Sequence, residues 1–122
     1  HLQLPPKAQG KLVRVVRGEI FDVAVDLRAG SNTFCRWVGI QMTADEGVQL
    51  WIPPGFAHGY VVLSELGADV AYKATHEYDS GLETGIRWDD PQIGISWPIS
   101  DPVLSSKDQK LPSLAESNLG AR

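Results

Sequence analysis

Apolar and polar residues alternate along most of this chain with the two-residue period of β-strands. In residues 19–26, the even-numbered positions share one face, and Phe21, Val23 and Val25 share the other. The runs are rich in β-branched residues, and no segment longer than a turn keeps a helical period. Because period two and β-branching favour extended backbone, the pattern predicts a protein built from strands.

The same pattern sets the expected boundaries of the elements. It predicts strands at 12–16, 19–26, 33–42, 50–52, 60–63, 69–75, 85–88 and 93–97. The first two are expected to form a hairpin around Arg17-Gly18, and residues 105–108 a single helical turn that Ser105 caps. Many short strands with Gly/Pro turns and no repeat predict an all-β, jelly-roll barrel. We expect one domain over residues 1–112 and a flexible tail over 113–122.

Residues 49–63, QLWIPPGFAHGYVVL, form the centre of this pattern. An apolar strand runs into Pro53-Pro54-Gly55, and a second strand leaves after His58. Two prolines fix φ and remove two backbone donors, while glycine accepts the positive φ that a reversal needs. The sequence therefore predicts a rigid corner with Phe56 packed beneath it and His58 held at the lip of the sheet.

The composition of the chain argues against several classes of function. The 122 residues carry a net charge of −4, which gives no support to nucleic-acid binding. No apolar run approaches the roughly 18 residues of a membrane span. The single cysteine, Cys35, excludes an internal disulfide and fits a reducing compartment, so we expect a cytoplasmic protein. The chain starts at His1, and a fragment, a processed product and a partial sequence all remain open.

The residues alone do not name a reaction. A metal site would need clustered ligands, and His1, His58 and His76 show no such spacing. His58 is as consistent with a hydrogen-bonded brace of the corner as with a ligand contact. Lysines at strand starts, such as Lys11, usually point to solvent, and a strand tyrosine such as Tyr72 is usually packed in the core. Asp108 would ordinarily be a surface carboxylate.

Several blocks together resemble the dTDP-4-dehydrorhamnose 3,5-epimerase family of cupin-like sugar-nucleotide enzymes. They are HLQLPPKAQGKLVRVVRGEIFDVAVDLR, SNTFCRW, LWIPPGFAHGYVVL, YKATHEY, GIRWDDPQIGISWP and LSSKD, and they cover nearly all of residues 1–112. Their order and near-family spacing make the match specific, whereas FAHG alone would not be.

The resemblance assigns roles to seven residues. It implies that His1 is the catalytic base, that Asp108 pairs with it and that Tyr72 is the proton donor. Lys11 would lie close to the sugar and His58 would line the site. Positions that contact ligand in the family correspond to Glu83 and Lys107.

The implied chemistry suits these residue types. A ketone at C4 of dTDP-4-keto-6-deoxy-D-glucose acidifies the protons at C3 and C5. A base with a pKa near neutrality removes one to give an enolate, and an acid on the opposite ring face returns a proton. Lys11 or His58 would stabilise the enolate oxygen. The resemblance implies no metal or other cofactor, a homodimer, and no nucleic-acid or membrane partner.

Departures from the family leave alternatives open. Family members carry a further N-terminal part that contacts the nucleotide and sugar and exchanges a strand between subunits. Asn32 and Cys35 stand where proline and glycine are usual, and we expect both changes to be structural. The alternatives are an epimerase acting at C3 or C5 only, a non-catalytic barrel that binds a nucleotide sugar, and, with less support, a metal-dependent cupin.

Overall fold

A computed structural model describes residues 1–119 of the chain, whose regular structure is almost entirely strand. The elements in chain order are β1 (Leu2–Gln3), β2 (Lys11–Arg17), β3 (Glu19–Asp26), β4 (Trp37–Thr43), a 3-10 turn (Ala44–Glu46), β5 (Gln49–Ile52), β6 (Phe56–Val62), β7 (Asp69–Ala74), β8 (Glu83–Thr84) and α1 (Ser106–Gln109).

Two antiparallel three-stranded sheets pack face to face. Their strand orders are β5-β2-β7 and β4-β3-β6, and β1 pairs with β8 beside them. Between the sheets, Val13 and Ile52 of one wall meet Ala24 of the other, and Val15 meets Ile20. These side chains are almost fully buried, so the alternating apolar positions read from the sequence do form the interior.

The expected hairpin of residues 12–16 and 19–26 is wrong, because β2 and β3 lie in different sheets. Both edges of β2 are occupied, by β5 and β7, and both edges of β3, by β4 and β6. Gly18, with φ of +84°, takes the chain from one sheet to the other, and a Cβ there would lie 2.4 Å from the carbonyl oxygen of Gly67. Alternation identified both strands, but it does not specify their partners.

Other predicted strands also differ from the structure. Residues 32–35 form turns, and the strand expected from residue 33 begins at Trp37. Residues 85–88 and 93–97 form no strand ladder. Their apolar side chains, including Ile86 and Ile93, instead pack on the face of β3 that points away from the other sheet.

The C-terminal stretch contributes to that same layer. Leu114 and Leu119 are buried there, and the Leu114 N–H donates to the buried carboxylate of Asp90 at 2.7 Å. Residues 113–119, where we expected a flexible tail, thus cover the outer face of β3 in this structure. The remainder of that expected tail, residues 120–122, lies outside the described residues.

The corner at Pro53-Pro54-Gly55 is a tight turn, as expected, but β6 begins at Phe56 and not at residue 60. His58 therefore lies within the strand, opposite Ala24, and not at the lip of the sheet. Gly55 has φ of +88°, and the Phe56 N–H donates to the Pro53 carbonyl at 3.2 Å. The corner joins β5 to β6 and therefore also carries the chain between sheets. Cys35 has φ of +70°, a left-handed conformation that explains why glycine suits its position.

We find no helix in residues 1–119 of sufficient length and apolarity to span a membrane.

Candidate active site

Lys11 and Tyr72 lie on the inner face of the β5-β2-β7 sheet. Tyr72 is opposite Val13 in the β2-β7 register, and Val13 is fully buried between the sheets. Lys11 is two residues from Val13 and so shares that face. Its ammonium lies 5.7 Å from the centre of the Tyr72 ring. These two side chains form one wall of a cleft.

His58 and Asp22 form the opposite wall. His58 is opposite Ala24 in the β3-β6 register, which directs it inward. Its Nε2 lies 2.6 Å from Oδ1 of Asp22, and the Asp22 side chain is completely buried. The other carboxylate oxygen, Oδ2, has no hydrogen-bond partner among the described residues. A carboxylate is costly to bury. A buried carboxylate that holds an imidazole in place is typical of functional sites.

His1 is attached to this second wall through its backbone. The His58 N–H donates to the His1 carbonyl at 2.8 Å, so residue 1 continues the sheet at the edge of β6. The next residues form β1, whose register places Gln3 opposite Glu83 of β8. This pairing brings Glu83 beside the imidazole of His1, with Nδ1 and Oε1 3.2 Å apart.

Asp108 approaches the other nitrogen of the same ring. His1 Nε2 and Asp108 Oδ1 are 2.5 Å apart. Asp108 lies on α1, the predicted helical turn, where Ser105 caps the start by accepting from the Asp108 N–H at 3.1 Å. The cap holds the short turn in place, and the turn presents the carboxylate to the ring.

Glu83 is the centre of a charged network at the rim. Its Oε2 accepts hydrogen bonds from Lys107 at 2.5 Å and from the Tyr78 hydroxyl at 2.6 Å. Burial alone would raise the pKa of Glu83, but these hydrogen bonds and the charges of Lys107 and His1 lower it on balance. The carboxylate is therefore ionised at neutral pH.

The pKa of Lys11, on one wall, is affected by burial and by the charge of Glu83, which lies beside His1 on the other wall. Burial lowers the pKa of Lys11, and the nearby negative charge of Glu83 offsets part of that effect. Lys11 does not have the solvent-directed position that is usual for a lysine at a strand start. A half-buried ammonium is a suitable donor to an oxygen that gains negative charge.

The seven predicted site residues thus form one connected group. A cavity of about 470 Å³ opens beside β6, on the side of Val23 and Val25. Its lining includes His1, His58 and Asp108 but not Lys11 or Tyr72. Tyr72 is 62% exposed, so its hydroxyl is accessible to a ligand in the cleft.

The sequence patterns did not reveal two members of this neighbourhood, Asp22 and Gln3. Asp22 shared a face with apolar residues of a strand, and nothing in its spacing marked it as a partner of His58. Gln3 is buried and donates to the carbonyl of Glu77 at 2.9 Å, which holds the loop that carries Tyr78. Inward-pointing polar residues in an otherwise apolar strand were the available signal for Asp22.

Fold and site together define a jelly-roll barrel of the cupin-like class with an acid–base group at its interior cleft. Proton transfer by imidazole, carboxylate and phenol is the chemistry that these side chains offer.

Comparison with known proteins identifies the family. The family model described as dTDP-4-dehydrorhamnose 3,5-epimerase matches residues 1–116. The chain is 50% identical over 117 residues to the dTDP-4-dehydrorhamnose 3,5-epimerase of Sinorhizobium fredii, covering 95% of this chain and 60% of that protein. It is 38% identical to the dTDP-4-dehydrorhamnose 3-epimerase of Streptomyces niveus, covering 92% of this chain and 54% of that one.

Solved structures show the same family relationship. A dTDP-6-deoxy-D-glucose-3,5-epimerase from Legionella pneumophila, in complex with dTDP-4-keto-L-rhamnose, superposes with a TM-score of 0.88 at 46% identity, covering 94% of this chain and 61% of that one. The chain belongs to the dTDP-4-dehydrorhamnose 3,5-epimerase family, and the predicted cupin-like jelly roll is confirmed. It spans about 60% of the length of the relatives reported above.

Proposed function

We propose that this chain is the catalytic barrel of an epimerase that inverts C3 and C5 of dTDP-4-keto-6-deoxy-D-glucose, in the biosynthesis of dTDP-L-rhamnose. The observation that carries the proposal is the separation of base and acid. The His1–Asp108 pair is attached to the β4-β3-β6 wall, and Tyr72 projects from the β5-β2-β7 wall. A sugar ring in the cleft would meet a base on one face and an acid on the other.

The steps follow from this placement. His1 takes a proton from the carbon next to the ketone, and Asp108, which lies 2.5 Å from Nε2, stabilises the imidazolium that forms. The electron pair of the C–H bond moves to the C4 oxygen, where Lys11 or His58 donates to the enolate. Tyr72 then gives its proton to the opposite face of the same carbon, which inverts it. Repetition at the second carbon completes the reaction.

The substrate assignment has support from relatives as well as from the site. The Legionella pneumophila protein was solved with dTDP-4-keto-L-rhamnose, and a related Bacillus anthracis structure contains TDP and PPi. Lys107, with its exposed ammonium, offers a cation that a diphosphate could pair with. The Streptomyces niveus relative is named a 3-epimerase, so inversion of one carbon is the alternative to this proposal.

Incubation of the chain with dTDP-4-keto-6-deoxy-D-glucose in D₂O tests the proposal. We expect solvent deuterium at both C3 and C5, measured by NMR of the sugar, because each inversion replaces a carbon-bound proton. Deuterium at one carbon would identify the single-carbon epimerase instead. Binding of dTDP with no deuterium at either carbon would contradict catalysis and identify a nucleotide-sugar-binding barrel.

A homodimer in the cytoplasm is part of the same proposal. Trp51 and Val16 are each 50% exposed and lie on the outer face of the β5-β2-β7 sheet, which offers apolar surface for a second copy. The molar mass in solution, from light scattering, tests the dimer.

A further inference from the structure

Gln3 is a buried polar residue that has no role in the mechanism above. Its side chain belongs to the short strand β1, and the residue is only 4% exposed. Burial of an amide costs free energy unless its donors and acceptor are paired. The partners of Gln3 therefore indicate what its burial achieves.

The Gln3 amide joins β1 to the loop that follows β7, residues 75–79. Its Nε2 donates to the Lys7 carbonyl at 2.7 Å and to the Glu77 carbonyl at 2.9 Å. Its Oε1 accepts from the Asp79 N–H at 2.9 Å. All three partners are backbone groups, and two of them lie in the loop. The side chain thus fixes the path of the loop relative to β1.

The same loop is also attached to the β5-β2-β7 wall. The Thr75 N–H donates to the Gly10 carbonyl at 3.0 Å, and the Gly10 N–H donates to the Thr75 hydroxyl at 2.9 Å. Gly10 directly precedes Lys11 of β2, and Thr75 directly follows β7, which carries Tyr72. The position of the loop and the position of the proposed acid are therefore linked through a few residues of backbone.

The strand β1 is attached to the opposite wall. His1 immediately precedes it, and the His1 carbonyl accepts from the His58 N–H of β6 at 2.8 Å. Gln3 consequently connects the segment that begins at the base to the loop that begins after the strand of the acid. Apolar packing between the two sheets is not directional, whereas hydrogen bonds fix both distance and angle. Gln3 supplies such directional contacts where the two walls meet.

We propose that Gln3 is a positioning residue that sets the placement of Tyr72 relative to His1 across the cleft. Inversion requires that Tyr72 deliver a proton to one face of the carbon before His1 returns a proton to the other face. A displacement of about 1 Å slows such a transfer by up to roughly 10²-fold. Removal and return of the proton by His1 do not depend on the loop. Gln3 therefore controls the stereochemical outcome. This role rests on the proposed function for its use in catalysis, whereas the placement of Tyr72 is a property of the protein alone.

The first test needs no substrate. In protein labelled with 3-fluorotyrosine, the ¹⁹F NMR signal of Tyr72 reports the surroundings of its ring, which include the Lys11 ammonium at 5.7 Å from the ring centre. Tyr72→Phe identifies the signal by its loss. Gln3→Met keeps the length of the side chain and removes all three hydrogen bonds, and we expect it to shift the Tyr72 signal. Gln41→Met, the same change at an exposed side chain of β4, should leave the signal in place.

A Tyr72 signal that stays in place in Gln3→Met would overturn the proposal. A thermal melt shows whether this variant folds. If it does not, Gln3→Asn decides the matter, because its amide is one methylene shorter and cannot reach all three backbone partners. The Tyr72 signal should then shift in Gln3→Asn, and an unchanged signal there would overturn the proposal equally.

The second test uses dTDP-4-keto-6-deoxy-D-glucose in D₂O. At early times, NMR gives the fraction of deuterated carbons that keep their configuration, which counts the events in which His1 returns a deuteron to the same face. We expect Gln3→Met to raise this fraction by roughly threefold or more, because delivery by Tyr72 is slowed. Gln41→Met should leave the fraction at the wild-type value.

The retained fraction distinguishes positioning from stability. Loss of folded protein lowers the rate of deuterium incorporation but does not change the fraction, so an unchanged fraction in Gln3→Met would contradict the proposal. Absence of deuterium in the wild type would refute the proposed function. The ¹⁹F signal of Tyr72 would then still judge the placement by Gln3 separately.

Discussion

Replacement of His1 by asparagine is expected to reduce deuterium incorporation at both C3 and C5 by roughly 10²–10⁴-fold. His1 is the base in the mechanism proposed here, and Asp108 holds its ring in place through the 2.5 Å contact to Nε2. Asparagine is similar in size and polar, but its amide is not basic. The loss should therefore appear in kcat, measured from initial rates of deuterium incorporation, and not in binding of dTDP.

His76→Asn is the matched control for that experiment. His76 is exposed, and its recorded hydrogen bond uses only its backbone carbonyl, which accepts from Gln9 at 2.6 Å. This variant should retain wild-type incorporation. If His1→Asn retained it as well, another group would be the base, and the proposed mechanism would be wrong.

Replacement of Asp22 by alanine is expected to lower the free energy of unfolding by roughly 2–4 kcal/mol. The Asp22 side chain is fully buried, and His58, with a side chain only 10% exposed, is its hydrogen-bond partner at 2.6 Å. Removing the carboxylate leaves the largely buried Nε2 of His58 without its partner and creates a small cavity. Urea unfolding of the wild type and the variant measures the difference.

Asp22→Asn keeps the shape of the side chain and removes its charge. The amide oxygen can still accept from Nε2, so the stability loss should be smaller than for alanine. A double-mutant cycle with His58→Ala should give a coupling of about 1 kcal/mol or more if the two side chains stabilise each other. A change below about 0.5 kcal/mol for Asp22→Ala, the size usual for surface substitutions, would show that the pair does not stabilise the fold.

The local pattern of apolar and polar residues was sufficient to predict much of the fold. Period two located the strands of both sheets, and Pro53-Pro54-Gly55 located the corner, because these signals depend on neighbouring residues. Partner choice depends on distant residues, and so the hairpin across Gly18 was wrong. The stretch 85–97 shows the same limit, since its isoleucines pack on β3 without joining a ladder.

The site was predicted through resemblance more than through spacing. His1, Tyr72 and Asp108 are far apart in sequence, and no rule of periodicity brings them together. The structure links His1 to Asp108 and to the His58 backbone, and links Tyr72 to Lys11. Asp22 was missed because alternation places it on the inner face of its strand, with Asp26, but does not show that His58 of the neighbouring strand is its partner.

The central claim, that base and acid act from opposite walls of the cleft, is tested most directly by Tyr72→Phe in D₂O. Without the phenol, His1 can still remove a proton and return a deuteron to the same face. We predict that NMR of the recovered sugar will show deuterium next to the ketone with its configuration unchanged, whereas the wild type inverts. Inversion by Tyr72→Phe at the wild-type rate would contradict the claim.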